Sequence, residues 1–141
     1  MAGASPRIGY VWARPLPSRE TDTQQVMRTV HGLAEAGALV DLIIPNTGDA
    51  RRLSPAELDR PLRGFYGLGD AAFGIVRRPG VPSSQLEAER AVHPLVAILA
   101  QDADTYDVIY SRSRSVTLLG ALRGWPGIWE TYRRFGDEQP R

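Results

Sequence analysis

The stretch "RIGYVWARPLPSRETDTQQVMRTVHGLAEAG", Arg7–Gly37, followed by "LVDLIIP", Leu39–Pro45, decides the fold. Ile8 to Trp12 is an apolar run of strand length. Val26, Val30, Leu33 and Ala34 then recur at i, i+4, i+7 and i+8, which is one face of a helix. Thr21-Asp22-Thr23-Gln24 reads as a capping box, with Thr21 accepting from the Gln24 N–H and the Gln24 side chain reaching back. Gly37 suits the left-handed position that closes such a helix. Leu39–Pro45 is apolar on both faces apart from Asp41, as expected of a parallel strand covered on both sides. Strand, helix and strand in this order make a βαβ unit. The segment from Ala13 to Glu20 is longer and more polar than that connection requires, and Pro15 and Pro17 stiffen it by fixing φ.

Outward from this unit the pattern repeats. Ser54-Pro55-Ala56-Glu57 is a second capping box, with proline at the first helical position, and its helix is expected to stop near Pro61. Ala72 to Arg78 reads as a third strand. Ser84-Gln85-Leu86-Glu87 caps a helix with Ala88, Val92, Leu95, Val96 and Leu99 on its core face and Pro94 kinking or splitting it. Tyr106 to Arg112 is a fourth strand. Ser113 or Ser115 caps a helix through Leu122, closed by Gly124, and Gly127 to Arg133 is a fifth strand. The alternation predicts an α/β fold: a single Rossmann-like domain over residues 1–141, with a parallel sheet of about five strands and helices on both faces. Residues 1–6 and 136–141 are expected to be flexible.

Composition removes several classes of function. The chain has 141 residues, 43% apolar and 23% charged, with a net charge of +1. No charge excess marks a nucleic-acid or anionic-membrane partner. All 17 basic residues are arginine, which excludes lysine Schiff-base and P-loop chemistry, and there is no cysteine for disulfide or thiolate chemistry. No apolar run approaches the roughly 18 residues of a membrane span, and the N-terminus carries no apolar signal segment. The expected location is the cytoplasm.

Ligands of such sheets lie beyond the carboxyl ends of the strands, where strand order reverses. That rim would hold the loop after Trp12, the loop after Tyr110 and the segment after Trp129. The first turn has two prolines and no glycine, against a dinucleotide site. His31 and His93 lie far apart inside helical patterns, so no metal site is read. Ser18, Arg19, Glu20 and Thr21 run into a helix N-terminus, which favours polar or anionic ligands; a solvated loop with a good cap would look the same. In "SRSRS", Ser111–Ser115, Arg112 and Arg114 could pair with a carboxylate or phosphate. In "WETYRR", Glu130 ends an apolar strand and needs a partner, with Arg133, Arg112 or a helix N-terminus as candidates.

Taken together, these residues resemble the family-4-like N-terminal, acceptor-side Rossmann-like domain of GT-B glycosyltransferases. The resemblance rests on "RIGYVW", the proline-containing loop and "ETDTQQVMRTVHGLAEAGALVDLIIP", then on "YDVIYSR" and "GIWETYR". It covers roughly Arg7 to Tyr132 and is poorest between Asp49 and Val81. It implies transfer of a sugar from a nucleotide-sugar donor to a hydroxyl acceptor. Arg14, Ser18, Glu20, Thr21, Arg112, Ser113 and Arg114 would bind the acceptor, and Glu130, Tyr132 and Arg133 would be catalytic, approaching the sugar. Many family members place a histidine two positions after the glutamate; Tyr132 stands there in this chain. The resemblance also implies that this domain binds no cofactor itself. The nucleotide-sugar donor would sit on a C-terminal domain that is absent here, and the isolated chain would be inactive. Expected partners are a small-molecule or glycan acceptor and that C-terminal domain, in cis or in trans. The alternatives are a non-catalytic Rossmann-like binding module, a homodimer formed through the sheet edge, or a decayed fragment that folds poorly.

Overall fold

The computed structural model describes residues 3–12, 16–45, 53–78, 105–112 and 114–130. Among the described residues, five strands and three helices follow in the order β1 Arg7–Val11, α1 Thr21–Glu35, β2 Leu39–Pro45, α2 Pro55–Tyr66, β3 Gly74–Arg78, β4 Val108–Ser111, α3 Arg114–Leu122 and β5 Gly127–Trp129. The strands form one sheet in the order β3-β2-β1-β4-β5, and every neighbouring pair is parallel. Residues 84–99, where a helix with Pro94 is expected, lie outside the described residues.

The order follows from chain direction. From β1 the chain steps outward to β2 and β3, then returns to the other side of β1 for β4 and β5. Right-handed crossovers in opposite directions put their helices on opposite faces, and the core divides accordingly. One cluster joins Ile8, Tyr10, Val40, Leu42 and Ile44 to Val26, Met27 and Val30 of α1 and to Leu58 and Leu62 of α2. The other joins Val11, Ile43 and Ile109 to Val116 of α3. Alternation along each strand therefore serves two cores, which is why β2 reads as continuously apolar. Its one exception, Asp41, accepts from the Tyr106 hydroxyl at 2.9 Å.

Helix termini show where local reading held and where it did not. Ser54 and Glu57 form the expected reciprocal capping box, and Pro55 opens α2. The helix nevertheless runs through Pro61 to Tyr66, because Leu58, Leu62 and Tyr66 continue a buried stripe while Pro61 lies on the exposed side. The capping box at Thr21 does not form. α1 begins one residue earlier, with Glu20 at the N-cap; the Gln24 N–H donates to Glu20 O at 3.0 Å and the Gln24 side chain to Arg19 O at 2.8 Å. At the other end, Ala38 N donates to Leu33 O and Gly37 N to Ala34 O, with Gly37 at φ +100. That double closure satisfies the last carbonyls and needs a residue tolerant of positive φ. Near the N-terminus, Pro6 O accepts from Leu39 N at 2.8 Å, so the segment before β1 is tied at its last residue.

Candidate functional site

The reversal of strand order lies between β1 and β4, so the crevice expected of this topology opens at their carboxyl ends. Register fixes what stands there. Tyr10 lies opposite Tyr110, and Tyr110 opposite Ile128. Arg112 and Glu130 each follow by two residues on the same face, the face that carries α1. The two tyrosine rings stack at 4.8 Å with an interplanar angle of 20°. Tyr10 is fully buried, and its hydroxyl donates to Glu130 Oε2 at 3.2 Å. The Glu130 N–H donates to Ser111 O at 3.0 Å, so the strand ladder continues one residue past β5 and holds the carboxylate's root.

Arg112 links this corner to α1. Its Nη1 donates to Asp22 O at 3.2 Å and to Gln25 Oε1 at 2.9 Å. Its own carbonyl accepts from the Trp129 indole N–H at 3.3 Å, and the buried Ser111 hydroxyl donates to Val11 O at 3.1 Å. The expected partners of Glu130 were Arg133, Arg112 or a helix N-terminus; among the described residues a phenol donates to it, Arg112 also donates to α1, and Arg133 lies outside the described residues. Electrostatics agree with the contacts. Burial, then the Glu130 charge and hydrogen bond, raises the Tyr10 hydroxyl well above the ordinary tyrosine value, with Arg112 opposing. Burial raises Tyr110 as well, Glu130 adds to it through charge and a hydrogen bond, and Arg112 again opposes. Both phenols are therefore protonated donors around a carboxylate.

The first loop is built as a wall. Leu16 is buried in the α1 and α2 core. The Tyr66 hydroxyl, from the end of α2, accepts from Ser18 N at 2.8 Å and donates to Ser18 O at 2.9 Å. Burial raises the Tyr66 hydroxyl too, and the Ser18 backbone bond opposes that. The Ser18 hydroxyl accepts from Glu20 N at 3.2 Å, which bends the chain into α1. Ser18 thus shapes the loop, while Glu20 and Thr21 stand exposed at its lip.

Of the residues singled out from sequence, Glu130 and Arg112 meet at one rim, and Ser18, Glu20 and Thr21 lie on the loop and helix start beside it. Arg114 opens α3. Arg14, Ser113, Tyr132 and Arg133 lie outside the described residues. Sequence reasoning missed Tyr10 and Tyr110, whose signal is parity: each precedes a rim position by two residues on its strand or lies in register with one that does. Tyr66, Asp22 and Gln25 carried no such signal. His31 is a buried residue of α1 packed under Gly69, and His93 lies outside the described residues. Among the described residues no group of three or more His, Cys, Asp or Glu side chains could hold a metal, and no helix is long and apolar enough to cross a membrane.

A cavity of about 340 Å³ lies at the opposite edge of the sheet, lined by Arg7, Leu39, Val40, Asp41, Ala72 and Tyr106. It is at the amino ends of the strands, away from the strand-order reversal and from Glu130, so topology favours the rim. Compared with known proteins, the chain is matched by no family model, no curated protein and no solved structure.

Proposed function

We propose that this chain is the acceptor-binding half of a GT-B-type glycosyltransferase. A sugar would pass from a nucleotide-sugar donor, held on a second domain in cis or in trans, to an acceptor hydroxyl lying against the carboxyl ends of β1, β4 and β5. The convergence of Glu130 and Arg112 at the β1/β4 reversal, beside the start of α1, carries this reading. The loop of Ser18, Glu20 and Thr21 forms the near lip, and Arg14, Ser113 and Arg114 belong to the same acceptor-binding set. Glu130, Tyr132 and Arg133 approach the transferred sugar. Catalysis in such an arrangement comes from placing two reactants and stabilising the leaving diphosphate. This domain needs no cofactor of its own, and the reaction belongs in the cytoplasm.

The test supplies a nucleotide-sugar-binding domain in trans and measures sugar transfer, with Glu130→Gln and Arg112→Ala as variants. A rate that neither substitution alters would remove the assignment. A second reading has one observation in its favour. Leu118 and Leu122 lie exposed on α3 beside the edge strand β5, where Ile128 is exposed as well. A non-catalytic module that homodimerises through this edge would cover them, and sedimentation equilibrium would report it as a dimer.

A further inference from the structure

Arg7, Gly9, Leu39 and Asp41 share one face of the sheet at the amino ends of its strands. Arg7 stands opposite Leu39, and Gly9 opposite Asp41. Alternation along each strand puts all four on the side of Val11 and Ile43. Gly9 leaves the place beside Asp41 vacant and the Tyr106 ring fills it; a Cβ on Gly9 would stand 3.0 Å from that ring. Gly74 makes room on the other flank, where a Cβ would overlap Asp41 Oδ1. The carboxylate is thus seated between two glycines, and its Oδ2 accepts from the Tyr106 hydroxyl at 2.9 Å. Asp41 is half-buried, a setting in which a carboxylate gains from a cationic partner. Among the described residues its partner is a phenol.

Arg7 and Asp41 both line the cavity of about 340 Å³ at this end of the sheet, with Leu39, Ala72 and Tyr106. That volume lies at the small end of ligand pockets. One strand across and two residues along, their Cα atoms are roughly 8 Å apart. Among the described residues no ion pair joins them. The Arg7 main-chain N–H donates to Asp107 Oδ2 at 2.8 Å, which ties the backbone and leaves the guanidinium out of that contact. Opposite charges in one cavity, kept apart by the register of β1 and β2, suit a molecule that carries both signs. A guanidinium can hold a carboxylate through two parallel N–H bonds, and a carboxylate accepts from an ammonium. An ammonium and a carboxylate on one carbon can bridge the gap between them. Leu39, 59% exposed, and Ala72 offer apolar surface on the same cavity wall. We propose that this cavity binds an α-amino acid with an apolar side chain, its carboxylate on Arg7 and its ammonium on Asp41. The site is distinct from the β1/β4 rim and does not rest on the function proposed there.

The test uses the full chain, nitrogen-15 labelled, and follows the amide signals of Arg7, Leu39 and Asp41. The Trp129 indole N–H, at the carboxyl-end rim, serves as the control that should not move. L-leucine, 4-methylpentanoate and 3-methylbutylamine are titrated separately; the last two are the same skeleton without the ammonium or without the carboxylate. Leucine is expected to shift the three amides, with the acid and the amine each binding at least about tenfold more weakly. Arg7→Gln and Asp41→Asn should each weaken leucine by a similar factor. Arg7 is exposed, so its substitution leaves the fold intact, and Asp41→Asn keeps an oxygen for the Tyr106 hydroxyl. The proposal falls if leucine moves none of the three amides in the folded protein. It falls equally if the acid or the amine binds as tightly as leucine, or if Arg7→Gln leaves the affinity for leucine unchanged.

Discussion

In Tyr10→Phe the one heavy atom lost is a phenolic oxygen on a fully buried side chain that donates to Glu130 Oε2 at 3.2 Å. A hydrogen bond to a charged acceptor is worth roughly 1.5–3 kcal/mol. Glu130 is half-buried and Tyr110 shares it, so the substitution should cost about 1.5 kcal/mol at neutral pH. The cost should also depend on pH. Burial and the Glu130 charge raise the Tyr10 hydroxyl above its ordinary value, so the folded state retains a proton that the unfolded chain releases near pH ~10. The stabilisation is fully present below that pH and is lost as pH rises beyond it, by about 1.4 kcal/mol at pH ~11. Phenylalanine has no proton to retain, so the difference between the two proteins should shrink to near zero at about pH 11. This window is unusually clean. The chain has no lysine and no cysteine, and arginine titrates above about 12, which leaves tyrosine as the side chain changing charge. Tyr66 and Tyr110 are also raised, but both proteins contain them and the comparison largely cancels them. Urea unfolding between about pH 8 and pH 11, with phenolate absorbance recorded in parallel, reads the difference directly. A cost that stays constant across that range would refute the placement of Tyr10 against Glu130.

Three other substitutions test neighbouring contacts. Tyr66→Phe removes both bonds to the Ser18 backbone; stability should fall by about 1–2 kcal/mol, and hydrogen exchange at the Ser18 amide should accelerate more than exchange in β1. A Cβ on Gly74 would overlap Asp41 Oδ1, so Gly74→Ala should displace Asp41 from Tyr106 and cost about 1–3 kcal/mol; adding Asp41→Ala should make the alanine nearly harmless, a coupling that a double-mutant cycle measures. Pro61→Ala restores a helical N–H at an exposed position. An interior proline is worse than alanine by roughly 3 kcal/mol, less up to about 1 for the chain stiffness it supplies, so the midpoint of thermal unfolding should rise.

The βαβ opening was legible because two periodicities follow one another without overlap: strand-length apolar runs at Ile8–Trp12 and Leu39–Pro45, and a 3.6-residue stripe between them. Parallel packing followed from β2, whose two apolar faces require cover on both sides. The site was only half legible. A charge at the end of an apolar run is conspicuous in sequence, and Glu130 and Arg112 were found that way. Tyr10 was not, because a tyrosine within a strand reads as core. Its hydroxyl gains meaning only from a carboxylate 120 residues further along the chain, and no local pattern encodes that pairing. Thr21 failed for the opposite reason. The local pattern was present, but the helix started one residue earlier, leaving Thr21 inside the first turn with the Gln24 N–H taken by Glu20 O.

Pro61 shows why α2 and the first loop have to be read together. A helix ending at proline would forgo the burial of Leu62 and Tyr66, each buried in the α1 and α2 core. Burying one such side chain contributes roughly 1.5–3 kcal/mol, so the pair outweighs the roughly 3 kcal/mol that an interior proline costs. The extra turn also carries the Tyr66 hydroxyl to the backbone of Ser18. The loop from Leu16 to Glu20 is therefore fixed from both ends, by Leu16 in the core and by Tyr66 at Ser18, before α1 begins. A connection that only joined β1 to α1 would need neither anchor. These contacts remove during folding the conformational entropy that Leu16–Glu20 would keep if it were unanchored, so the segment that leads into α1 is set before the helix starts.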